Sequence, residues 1–112
     1  MITLQLLNDH GSGERAAAGF PYNESYMADN DLALGRVVEF LSHTEYWKNM
    51  MIVVTEDDAQ GGTDHIDAHR SLLMVISPYA RKNFNSHQHY SFGSIFKTFW
   101  NVLGACLLYT SD

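Results

Sequence analysis

Residues 55–70 read Thr-Glu-Asp-Asp-Ala-Gln-Gly-Gly-Thr-Asp-His-Ile-Asp-Ala-His-Arg, and this stretch holds five of the chain's 13 acidic side chains with two of its six histidines. The adjacent carboxylates of Asp57 and Asp58 repel each other unless a cation or a donor lies between them, and a divalent metal removes that cost most simply. The single cysteine, Cys106, excludes a Cys-based zinc site, so a metal here would be held by oxygen and imidazole ligands. His65 and His69 are four apart and would share a face if the segment turns helical, with Asp64 and Asp67 placed to orient an imidazole. Arg70 has the guanidinium geometry that suits a phosphate oxygen. A second polar cluster, Asn8-Asp9-His10-Gly11, follows the apolar run 2–7.

Plainer readings compete with this chemistry. Acidic loops after strands are often only solvated, and an Asp-His pair alone is a weak motif. Asp57, Asp58 and His65 together, on one glycine-containing strand exit, favour the chemical reading, and His10 follows them closely. His43 reads as structural, because a cation near a helix C-terminus is favourable without further role. His87 and His89 lie in a polar stretch that looks like ordinary surface loop. Tyr22, Tyr26, Trp47, Phe99 and Trp100 read as packing residues.

The elements that must position these groups follow from apolar patterning. A chain of 112 residues with 46% hydrophobic content supports one core and a single domain. The net charge of −6, with no Lys/Arg cluster to offset it, argues against a nucleic-acid backbone as partner. Runs such as Met50–Val54 and Leu72–Ile76 fall far short of the roughly 20 residues needed to span a bilayer. No basic segment followed by an apolar stretch and a cleavage site opens the chain, so no signal peptide is expected in it. Strands are expected near 2–7, 50–55 and 72–76, each a nearly continuous apolar run. A helix near 25–42, capped by Asn23 or Ser25, would carry Met27, Leu34, Val37, Val38 and Leu41 as its apolar stripe. A second helix near 91–103 would present Phe92, Ile95, Phe99, Val102 and Leu103 on one face. This order suggests an α/β layer with a mainly parallel sheet, and it puts Asp9, His10, Asp57 and Asp58 at the carboxyl ends of strands, where ligand sites gather. A loop as long as 56–70 in a compact domain is usually functional or mobile.

Taken in order, Asn8-Asp9-His10-Gly11, Ala28–Arg36, Thr55–Gln60, Asp64–Arg70 and Ile76-Ser77-Pro78-Tyr79 resemble the C-terminal part of the bacterial phosphoesterase family. That family holds phospholipases C and some acid phosphatases and belongs to the alkaline-phosphatase-like superfamily. The match runs over about residues 2–104, and the ordered series is far more specific than any one motif. The resemblance implies metal-dependent hydrolysis of a phosphate ester on an α/β fold, here a truncated alkaline-phosphatase-like sandwich whose mainly parallel sheet is flanked by helices. It implies Asp57 and Asp58 as ligands of a divalent metal ion. His10, Asp64 and His65 match positions lining the metal and phosphate site, where an imidazole stabilises equatorial oxygens or protonates the leaving alkoxide. His69 and Arg70 would contact substrate. Relatives are often exported, which suggests a periplasmic or secreted location by resemblance alone.

In such relatives an N-terminal segment provides an acidic metal ligand and a Ser or Thr nucleophile that forms a covalent phosphoryl-enzyme. The chain matches only the later motifs, so it is expected to be the C-terminal part, residues 1–104, of a catalytic domain whose N-terminal half is missing, and to be inactive alone. Residues 105–112 depart from the family pattern, resemble translated adaptor sequence and are read as a non-native tail that includes Cys106. Two other functions compete. One is a non-catalytic metal- or phosphate-binding module; the other is an interaction domain whose acidic loop is merely solvated.

Overall fold

The computed structural model describes residues 1–6, 15–22, 24–56 and 70–105. The chain divides into two compact units, Met1–Ala80 and Arg81–Asp112.

In the first unit, Arg15 and Phe20 form an antiparallel bridge around a single 3-10 turn, Ala16–Ala18. The Arg15 amide donates to the Phe20 carbonyl at 2.7 Å, and the Phe20 amide returns a bond at 3.1 Å. Gly19 closes this turn at φ 88°, a conformation that a side chain would strain. The turn delivers Phe20 to the first helix, α1 (Glu24–Ser42). Glu24 lies in the first turn of α1, where a negative charge complements the helix dipole. Ser25 sits inside the helix and acts backwards: its Oγ accepts from the Tyr22 amide at 3.2 Å, while its own amide donates to the Tyr22 carbonyl at 3.0 Å. The alternative cap, Asn23, lies outside the described residues.

Leu34, Val37, Val38 and Leu41 are half-buried, as an apolar stripe requires. Met27 is 71% exposed, and the buried member of the helix is Tyr26. The last turn of α1 is closed by side chains. Ser42 Oγ donates to the Glu39 carbonyl at 2.8 Å, His43 Nδ1 meets the same carbonyl at 2.7 Å, and Thr44 Oγ1 donates to the Leu41 carbonyl at 2.7 Å. These bonds satisfy carbonyls that have no partner within the helix. A short 3-10 turn, Trp47–Asn49, then leads towards the first strand.

The strands are β1 (Ile52–Thr55) and β2 (Leu73–Ile76), and they pair antiparallel with Ile52 opposite Ile76 and Thr55 opposite Leu73. This overturns the expected mainly parallel sheet and, with it, the truncated alkaline-phosphatase-like sandwich: the described residues form two helices and a two-stranded antiparallel sheet. The reason lies in what an apolar run encodes. Continuous apolar character reports a strand's appetite for burial and says nothing about its direction. Parallel pairing needs a crossover, usually a helix, laid over the sheet. Between β1 and β2 the sequence offers only Ala59, Ile66 and Ala68 as apolar residues outside the strand flanks, too few for a helix to pack through. The chain turns back instead.

The expected strand at 2–7 is also absent over residues 1–6, where Met1 and Ile2 are 85% and 96% exposed. An apolar run becomes a strand only when a neighbour takes up its backbone donors and acceptors. Leu73 and Val75 point to one face of β2 and Met74 to the other, and all three are exposed.

The second unit opens with Arg81, whose guanidinium carbon lies 5.0 Å from the Phe84 ring centroid. Further on, Tyr90 donates to Gln88 Oε1 at 3.1 Å, which leaves Ser86 Oγ as the donor in its 3.0 Å bond to the Tyr90 hydroxyl. The second helix, α2 (Phe92–Leu103), begins where the Ser91 amide donates to Ser94 Oγ at 3.3 Å, the reciprocal arm of a capping box. It ends at Gly104, whose φ of 66° is the left-handed conformation that terminates helices. Among the described residues no helix is long and apolar enough to cross a membrane.

Candidate functional site

The acid- and histidine-rich segment leaves the sheet at the carboxyl end of β1 and returns to the same end at the start of β2. Thr55 and Leu73 are cross-strand partners, so Glu56 and Leu72 are the residues through which the chain departs and re-enters. Just beyond that pair, Ser71 Oγ donates to the Glu56 carbonyl at 3.1 Å. This bond spans fifteen positions of sequence and ties together the residues on either side of segment 57–69. Thr55 Oγ1 makes a second, longer contact to the same carbonyl at 3.4 Å. The hairpin therefore fixes both ends of the segment that carries the candidate chemistry.

Of the candidate site residues, Asp57, Asp58, Asp64, His65 and His69 lie outside the described residues, as does His10. Arg70 is described and exposed, one residue before the Ser71 staple. Because the sheet is antiparallel, the carboxyl end of β1 lies beside the amino end of β2, and the two strands share no common carboxyl edge at which a ligand site could gather.

The residues read as structural bear no candidate chemistry where they are described. His43 completes the C-terminal turn of α1 through its bond to Glu39, and the Ser42 hydroxyl lies 3.3 Å from the same ring nitrogen. With a carbonyl as partner, Nδ1 carries the proton in that bond. His87 and His89 are exposed on either side of Gln88, within the Ser86–Tyr90 hydrogen-bonded stretch. Tyr26 packs against Phe20, and Phe96 lies 6.3 Å from Phe92 and 6.2 Å from Trp100 along one side of α2.

An open surface cavity of about 410 Å³ is lined by Glu45, Tyr46, Lys48, Asn49 and Met50. It sits before β1 in the chain, at the strand's amino end, whereas Glu56 and the acid-rich segment follow the carboxyl end. Its lining offers one carboxylate and one ammonium, which suits solvation better than ligand capture. Among the described residues no group of three or more His, Cys, Asp or Glu side chains converges to hold a metal.

Ser71 is the positioning residue that sequence reading did not find. A serine before a strand carries no signal of its own, and only the register that sets Thr55 against Leu73 makes its hydroxyl a closing bond. No protein-family model matches the chain, and neither curated proteins nor solved structures match it.

Proposed function

We propose that the chain is the metal-holding part of a metal-dependent phosphoesterase, a hydrolase of phosphate mono- or diesters. The observation that carries this reading is the ordered series of motifs, from Asn8-Asp9-His10-Gly11 through Thr55–Arg70 to Ile76-Ser77-Pro78-Tyr79, which resembles the bacterial phosphoesterase family. Asp57 and Asp58 would hold a divalent ion, since two adjacent carboxylates form a hard-oxygen donor pair whose mutual repulsion a cation relieves. When bound, that ion polarises a phosphoryl oxygen. His10, Asp64 and His65 would line the phosphate, with an imidazole to stabilise its oxygens or protonate the leaving alkoxide. His69 and Arg70 would bind the substrate's phosphate, Arg70 through the fork of its guanidinium. The bond between Ser71 and Glu56 supports the reading, because a ligand pair is presented more precisely when the backbone on either side of its segment is held.

An N-terminal half of the same domain would supply the attacking Ser or Thr. In-line phosphoryl transfer needs a positioned nucleophile, and the residues assigned here are ligands and stabilisers. A location outside the cytoplasm accompanies this reading through the resemblance alone.

Calorimetric titration of the 112-residue chain with Mg²⁺, Mn²⁺, Ca²⁺ and Zn²⁺ tests the ligand assignment. Saturable binding that weakens at least tenfold in both Asp57→Ala and Asp58→Ala is expected. Binding unchanged by either substitution would remove Asp57 and Asp58 as ligands.

A further inference from the structure

No further inference is drawn: the strongest candidate, the exposed aromatic side of α2 formed by Phe92, Phe96 and Trp100, is an unpartnered apolar face, and nothing in the structure shows what covers it.

Discussion

The ring of Phe20 stacks on that of Tyr26, with centroids 4.3 Å apart and planes within 3° of parallel. The contact joins the 15–20 turn to the first turns of α1 and covers one face of Tyr26, the buried hydrophobic residue among the described residues at 4% exposure. Among the described residues, the buried Tyr26 hydroxyl has no hydrogen-bond partner.

Two substitutions separate the ring from its hydroxyl. Phe20→Ala removes a stacked aromatic pair worth about 1 kcal/mol beyond its buried area, so the unit Met1–Ala80 should unfold at lower denaturant. Tyr26→Phe keeps the ring and deletes the unsatisfied oxygen, and should be neutral or stabilise by about 1 kcal/mol. Equilibrium urea unfolding followed by far-UV circular dichroism reads both. A Tyr26→Phe variant destabilised as much as Phe20→Ala would show that the hydroxyl has a partner.

Ser71→Ala deletes the bond that closes the base of the 57–69 segment. The bond is exposed, so the stability loss should be small, about 0.5 kcal/mol. Its effect should be local: faster amide exchange in β1 and β2, with α1 unchanged. Uniform acceleration across both the strands and α1 would show that the bond supports the whole unit instead of the strand ends beside it.

His43→Ala removes one of the two side-chain bonds to the Glu39 carbonyl and leaves that of Ser42. The expected cost is about 0.5–1 kcal/mol in the stability of α1, with divalent-metal affinity unchanged. A loss of metal affinity in a folded His43→Ala chain would move His43 from the helix end into the site.

Local periodicity made the helices legible. The expected spans 25–42 and 91–103 differ from Glu24–Ser42 and Phe92–Leu103 by a residue at their starts, because repeats of three and four positions act within a few turns. The stripe of α1 was legible only in part. Met27 and Tyr26 both border the apolar side, and the choice between them is made by Phe20, a partner that helix periodicity does not contain. The strands at 52–55 and 73–76 were legible as apolar runs, yet their antiparallel pairing was not, since Ile52 opposite Ile76 is a relation between two segments. Ile2 and Leu4 show the same limit from the other side: a strand-like sequence stays unpaired where no edge takes it up. For the site, the residue types of 55–70 are legible in the sequence, whereas the staple from Ser71 to Glu56 appears only once the strands are in register.

Hydrolysis of an aryl phosphate and an aryl phosphodiester across a metal series tests the central claim most directly, using the 112-residue chain and an extended protein in which the chain is joined to the proposed N-terminal half with its Ser or Thr nucleophile. The extended protein should turn over at least one of these substrates only with a divalent metal, and Asp57→Ala or Asp58→Ala should abolish both metal binding and nearly all of the rate; the 112-residue chain should show negligible rate with any metal. An extended, folded protein that hydrolyses neither substrate with any metal, or one whose rate survives Asp57→Ala and Asp58→Ala, would contradict the assignment of a metal-dependent phosphoesterase.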